Sequence, residues 1–133
     1  MIVIDSSVWI GLLRNSDSSP VRRLRDIVDA ADDQVLVGDL ILLEVLQGAH
    51  DEAHAARIER NLRRYPIAPM LDDAIAIRAA RNYRVLRTRG VTVRKTIDMI
   101  IGTFCVAGGH ALLHDDRDFE PMVAHLGLRR VPV

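Results

Sequence analysis

Four acidic residues stand beside or inside apolar segments of this sequence: Asp5, Glu44, Asp98 and Asp116. Acidic side chains are almost never fully buried unless they are paired. Grouping several carboxylates is costly, because each negative charge disfavours the ionisation of the next. A divalent cation offsets that repulsion, and magnesium prefers oxygen ligands while it keeps several water molecules. The four residues therefore predict a Mg²⁺ site, or one for Mn²⁺, of the kind that activates water against a phosphodiester.

Each of these acids also has a structural explanation. Asp5 follows an apolar run and suits a helix N-cap. Glu44 fits the exposed stripe of an amphipathic helix, and Asp98 fits a first helical turn, where the helix dipole favours negative charge. The segment 114–119 reads as a polar loop that ends in a cap at Asp118. Each explanation covers one residue, whereas a metal site accounts for all four together.

Other reactive side chains favour structural roles. His50 and His54 have the spacing of a helical metal pair, but no glutamate stands between them as in a metalloprotease motif, so they are assigned to a solvated face. Cys105 lies in an apolar segment and is assigned to the core. Trp9 fits the core and a partner surface equally well.

The positions of the acids depend on short strands that alternate with helices. Apolar runs predict strands at 1–4, 35–37 and 111–113, an edge strand within 128–133 and an extended link at 66–69. Helices are predicted at 8–14, from 18–20 onward, at 40–46 after a cap at Asp39, at 51–65, 71–89 and 96–106, and from a cap at Asp118 to 126. This alternation indicates one α/β domain over 1–133 with a mainly parallel sheet. Ligands gather at the carboxyl ends of such strands, where Asp5 and Asp116 would lie.

Four motifs in this order carry a resemblance to a known family: IVIDSSVWI at 2–10, LEVLQG at 43–48, IDMII at 97–101 and LLHDDRDF at 112–119. With them, the sequence resembles PIN-domain ribonucleases over essentially its whole length, and among these the VapC-type toxins of bacterial toxin–antitoxin pairs. The resemblance implies a PIN-like three-layer α/β/α sandwich. It also implies metal-dependent cleavage of RNA such as tRNA or rRNA, inhibition of translation, a homodimer, and neutralisation by a small antitoxin.

The resemblance also implies roles for individual residues. The acids at the matching positions, Asp5, Glu44, Asp98 and Asp116, would form the catalytic metal centre, and Asp118 is often included in it. Ser6 would support the centre at a position where threonine is commoner. His114 stands where many relatives carry threonine, so we expect different hydrogen bonding near Asp116.

The charge distribution predicts where RNA binds. Basic and acidic side chains balance at 18 each, but residues 57–95 carry 11 basic and 3 acidic side chains. A local basic surface binds phosphates whatever the net charge, and arginine suits bidentate phosphate contacts. Arg60 and Arg64 are predicted on one face of a helix and Arg81 on the next helix. These three arginines are candidates for RNA contacts, and a solvated face with surface ion pairs is the alternative.

Two other functions remain as alternatives. A phosphatase with Asp5 as nucleophile would want a second acid two residues later, where Ser7 stands. A catalytically idle binding module of the same fold would not need all four acids. The single cysteine, the lack of a basic segment before the first apolar run, and the shortness of the longest apolar stretch predict a cytoplasmic protein without a membrane anchor.

Overall fold

Five short strands form one parallel sheet in the computed structural model, which describes residues 1–133. They are β1 (Ile2–Ile4), β2 (Val35–Gly38), β3 (Ile67–Ala68), β4 (Ala111–Leu113) and β5 (Arg129–Arg130). Their order is β3-β2-β1-β4-β5, so β1 lies at the centre. The expected α/β sandwich is confirmed, and each strand pair is parallel.

Seven α-helices connect and cover the strands. They are α1 (Ser6–Leu13), α2 (Ser19–Asp29), α3 (Asp39–Gln47), α4 (Glu52–Leu62), α5 (Asp73–Thr88), α6 (Thr96–Gly108) and α7 (Glu120–Leu126). Asp51 and Asp72 cap α4 and α5 by accepting hydrogen bonds from the amides of His54 and Ile75. Helix α1 packs on α2 and α3, and α5 packs on α6. None of these helices has both the length and the apolar character needed to cross a bilayer.

Apolar side chains of β1, β2 and β4 form the centre of the core. Val3, Val35 and Leu112 have no exposed surface, as expected for a parallel sheet covered on both faces. Trp9 is only 7% exposed and its ring centroid lies 6.0 Å from that of Tyr65. The structure therefore assigns Trp9 to the core.

Two predicted caps are wrong. Asp39 is the first residue of α3 rather than its cap, and its Oδ1 instead accepts a hydrogen bond from the Met70 amide at 3.1 Å. Asp118 does not cap α7; it lies in a short 3-10 turn, Arg117–Phe119, that precedes the helix. In the first case a tertiary contact binds the Asp39 carboxylate. In the second, the 3-10 turn places Asp118 before the start of α7.

Two predicted boundaries also differ. Helix α4 ends at Leu62, so Arg64 lies beyond the helix and does not share a helical face with Arg60. The extended link at 66–69 contains β3, which becomes a strand because Val37 and Gly38 of β2 pair with it.

Candidate metal centre

The ends of two adjacent strands bring the first and last acids to one rim of the sheet. Ile4 pairs with Leu113, and the amide of Asp5 donates to the Leu113 carbonyl oxygen at 2.9 Å. Asp5 therefore leaves β1 at the level where β4 ends, and Asp116 follows three residues after Leu113. Asp5 also caps α1. The capping role expected from the sequence is therefore compatible with a role in the candidate metal site.

Two serines fix the carboxylates on the β1 side. The amide and Oγ of Ser7 donate to Asp5 Oδ2 at 3.1 and 2.6 Å. Ser6 Oγ donates to Glu44 Oε1 at 3.0 Å and so ties α3 to the start of α1. Ser6, which the resemblance predicts as a supporting residue, therefore holds Glu44 through its hydroxyl. The contribution of Ser7 was not predicted.

Helix α6 supplies the third acid, and a loop supplies two more. Asp98 lies in the first turn of α6 and is 4% exposed. One carboxylate oxygen each from Asp98, Asp116 and Asp118 lie within 4.8 Å of one another. The amide of Asp118 donates to Asp116 Oδ1 at 2.9 Å. This group therefore contains Asp118, whereas Asp5 and Glu44 lie outside it.

Burial, with a smaller contribution from mutual repulsion, raises the pKa values of three of these acids. Burial and then the charge of Asp5 raise the pKa of Asp98 to about 7, with further contributions from Asp116 and Glu44. Burial raises the pKa of Asp5, against the hydrogen bonds from Ser7. Burial also raises the pKa of Glu44, although Ser6 and Lys95 lower it. The four predicted acids therefore form one electrostatically coupled group.

His114 supports the loop that carries Asp116. Its Nδ1 accepts a hydrogen bond from the Asp116 amide at 3.2 Å, and burial lowers its pKa, so the ring is neutral near pH 7. Because Nδ1 accepts, the proton must lie on Nε2, which faces Glu120 Oε1 at 3.3 Å. Arg130 Nη1 also lies 2.7 Å from that oxygen. Nε2 makes no hydrogen bond to this oxygen, so the supporting contact of His114 is the one from the Asp116 amide.

Two cations at the edge of the acids were not predicted. Arg94 Nη2 lies 3.3 and 3.2 Å from Oδ1 and Oδ2 of Asp118. Lys95 lowers the pKa of both Asp98 and Glu44, so its charge lies near both carboxylates. The available signal was their position directly before the helix that carries Asp98.

The predicted RNA-contacting arginines lie apart from this network. Arg60 is on α4, Arg64 follows the end of that helix, and Arg81 is on α5. All three are exposed, and none makes a hydrogen bond or an ion pair to the acids. Their assignment to RNA remains a prediction.

The donor set fits a hard divalent cation. Asp5 Oδ1 and Asp98 Oδ2 are buried and have no hydrogen-bond partner. A buried carboxylate oxygen without a partner is energetically costly, and a cation ligated by it removes that cost. Oxygen-only donors are typical of Mg²⁺ and Mn²⁺ sites.

Comparisons with known proteins identify the family. The family model described as the PIN domain matches residues 2–123. The chain is 32% identical over 121 residues to a VapC ribonuclease of Mycobacterium bovis and to ribonuclease VapC11 of Mycobacterium tuberculosis, covering 90% of each chain.

Solved structures share the fold. VapBC2 from Rickettsia felis, bound to a promoter DNA fragment, matches with a TM-score of 0.75 and 13% identity over 98% of both chains. FitAcB from Neisseria gonorrhoeae matches with a TM-score of 0.72 and 17% identity, over 99% of this chain and 97% of the other.

Proposed function

The chain belongs to the PIN-domain family, and on this premise we propose that it is a divalent-metal-dependent endoribonuclease acting as the toxin of a toxin–antitoxin pair. The observation that carries the proposal is the pair of unpartnered buried oxygens on Asp5 and Asp98, together with the carboxylates of Asp98, Asp116 and Asp118, which have oxygens within 4.8 Å of one another. The ribonuclease names of the two mycobacterial relatives support the RNA substrate.

Asp5 and Asp98 would hold Mg²⁺ most directly, and Glu44 and Asp116 would complete the site, partly through water. When bound, the cation supplies an activated water and charge neutralisation at the scissile phosphate. Serine hydroxyls hold Asp5 and Glu44 in place before substrate arrives, and His114 holds the backbone of Asp116. Mn²⁺ suits the same oxygen donors.

Repulsion among the carboxylates supports the need for a metal. The raised pKa of Asp98, about 7, means that a large share of the metal-free protein keeps a proton on this acid near neutral pH. Metal ligands must be deprotonated, so cation binding would displace that proton. We therefore propose that binding and activity increase as the pH rises through about 7.

The proposed substrate is structured RNA such as tRNA or rRNA, whose cleavage would inhibit translation. Aromatic residues make up only 4% of the chain, so stacking on many bases is not expected to dominate recognition. Shape and backbone charge would instead guide binding. The exposed Arg60, Arg64 and Arg81 are the proposed contacts.

A small antitoxin is the proposed partner, since the solved structures that share this fold include toxin–antitoxin complexes. An apolar recess of about 70 Å³ between α1, α3 and α4 has room for one apolar side chain from the face of an amphipathic helix. It is lined by Trp9, Leu12, Leu13, Val45, Ile58, Asn61 and Leu62. Leu13 is 46% exposed and would be covered by the partner. We also propose a homodimer, which light scattering of the purified chain tests.

Two alternatives have less support. In a phosphatase, Asp5 would form an acyl phosphate, but the residue two positions later is Ser7, whose hydroxyl donates a hydrogen bond to Asp5. Failure to trap an aspartyl-phosphate excludes this reaction. An idle binding module would gain nothing from the orphaned oxygens of Asp5 and Asp98.

The proposal is tested by sequencing new RNA ends after brief expression of the chain. We expect discrete new ends in a small set of structured RNAs together with arrested growth. Asp5→Asn, produced at the same level, is the control and should give neither. Growth arrest without new RNA ends would contradict the proposed activity.

A further inference from the structure

We propose that Arg94 binds a backbone phosphate of the RNA beside the scissile bond, and that Asp118 orients its guanidinium for this contact. This inference rests on the proposed ribonuclease function and deepens it. Arg94 lies outside the four sequence motifs, and the fold places it beside the acids.

The geometry leaves most of the guanidinium free. Arg94 uses a single nitrogen, Nη2, to reach both carboxylate oxygens of Asp118 at 3.2 and 3.3 Å. Nη1 and Nε have no partner in the protein, and the side chain is 78% exposed. Arg94 is therefore held at one end while its remaining donors face solvent.

A role in stability does not explain this pair. An ion pair with so exposed an arginine contributes little to stability, because solvent screens it and the side chain loses rotamer entropy. Asp118 is half-buried, with 24% of its side chain exposed, and it belongs to the group that also contains Asp98 and Asp116. The pair thus lies at a solvent-exposed edge of this carboxylate group.

The charge of the centre makes a cation at this position useful. An RNA phosphate that approaches five carboxylates is repelled even after a divalent cation has neutralised part of their charge. Lys95 lies near Asp98 and Glu44, so its charge already acts on those acids. Arg94, one residue earlier, can offer a phosphate two parallel N–H donors from one edge of its guanidinium, namely Nη1 or Nε together with the second proton of Nη2.

An alternative role for Arg94, as a counter-ion only, predicts the opposite experimental results. If it were only the counter-ion of Asp118 in the metal-free protein, it would compete with the cation. Removing it would then tighten Mg²⁺ binding and leave the affinity for RNA unchanged. A phosphate-binding role predicts that its removal weakens RNA binding and changes the salt dependence.

The test measures binding of bulk tRNA and of a polyuridylate oligonucleotide in Mg²⁺ as a function of salt. It uses the Asp5→Asn background, which is expected not to cleave. Arg94→Gln should weaken binding of both RNAs about tenfold and lower the salt slope by about one unit. Arg94→Lys should restore the slope but only part of the affinity, because lysine lacks the planar fork.

The matched control is Arg22→Gln. Arg22 is also an exposed arginine paired with an aspartate, Asp17, but it lies on α2 and touches none of the acids. Unchanged RNA affinity in Arg94→Gln, or an equal loss in Arg22→Gln, would overturn the proposal. If the wild-type chain cleaves RNA while Arg94→Gln binds normally, only the Arg94 inference fails. A wild-type chain without cleavage overturns the proposed function itself.

Discussion

Ser6 Oγ donates a hydrogen bond to Glu44 Oε1 at 3.0 Å across 38 residues of sequence. This contact joins the first residue of α1, directly after Asp5, to the middle of α3. It lowers the pKa of Glu44 against the raising effects of burial and of Asp5. The hydroxyl therefore helps to keep Glu44 ionised and aimed at the centre.

Removal of this hydroxyl should weaken catalysis. A hydrogen bond to a charged group contributes about 1.5–3 kcal/mol, so we expect Ser6→Ala to lower kcat/KM by about tenfold or more. Ser6→Thr keeps the hydroxyl and should retain most activity. Steady-state cleavage rates distinguish the two variants. Equal activity in Ser6→Ala and wild type would show that the contact has no catalytic role.

The raised pKa of Asp98 predicts that the metal-free protein loses stability as the pH rises. Its pKa is 3.8 ordinarily and about 7 in the folded chain. Between these values the folded chain keeps a proton that the unfolded chain has lost, so stability falls with pH and levels off above the folded pKa. Urea unfolding should give a lower midpoint at about pH 7.5 than at about pH 5.

Asp98→Asn is the control for this dependence. The amide does not titrate, so the loss of stability with rising pH should become much smaller, with Asp5 and Glu44 supplying the remainder. The same slope in Asp98→Asn as in wild type would assign the effect to other groups.

The apolar recess predicts where antitoxin binding can be disrupted. Leu13 is already about half-buried, so covering the rest of it contributes about half of the 1.5–3 kcal/mol of full burial. Leu13→Arg loses this contribution and also brings an unpaired charge to the interface, so it should weaken antitoxin affinity at least about tenfold. RNA cleavage by the variant alone should be unchanged, because Leu13 lies outside the acid group. Val28→Arg, on α2, is a matched control. If the product of the neighbouring gene neutralises Leu13→Arg normally, the antitoxin binds another surface.

The basic segment predicts sequence-independent RNA contacts. Arg60→Ala, Arg64→Ala and Arg81→Ala, each in the Asp5→Asn background, should weaken binding to all RNAs similarly. Removing one phosphate-binding arginine should lower the salt slope by about one unit. Filter binding at several salt concentrations measures both quantities. Arg22→Ala serves as a control because Arg22 is an exposed arginine on α2, outside the basic segment. Unchanged slopes in the three variants would exclude this surface.

The central strands could be predicted from the sequence, whereas the edge strands could be predicted only in part. Apolar runs identified β1, β2 and β4 because burial on both faces requires such runs. β3 consists of two residues between prolines, and it is a strand only because β2 pairs with it. The predicted cap at Asp39 was wrong because the Met70 amide, 31 residues away, takes its carboxylate. Local patterns carry no information on such contacts.

The candidate site likewise combines residues whose positions the sequence predicts with contacts that it does not predict. The positions of Asp5 and Asp116 follow from parallel strands that end at one rim, and the apolar surroundings of Asp98 point to burial. The contact between Arg94 and Asp118 spans 24 residues and joins the loop before α6 to the turn before α7. No hydrophobic pattern marks such a pair, so only the folded structure reveals it.

The most direct test of a metal-dependent ribonuclease is cleavage of RNA by the purified chain as Mg²⁺ is added after removal of all metal. We predict no cleavage in EDTA, recovery with Mg²⁺ or Mn²⁺, and none at any concentration in Asp98→Asn. Thermal unfolding is the folding control: a cation at 100 times its Kd should stabilise the wild type by about 2.7 kcal/mol. Asp98→Asn should stay folded and gain much less. Full cleavage in EDTA, or by Asp98→Asn, would contradict the assignment of these acids as a catalytic metal centre.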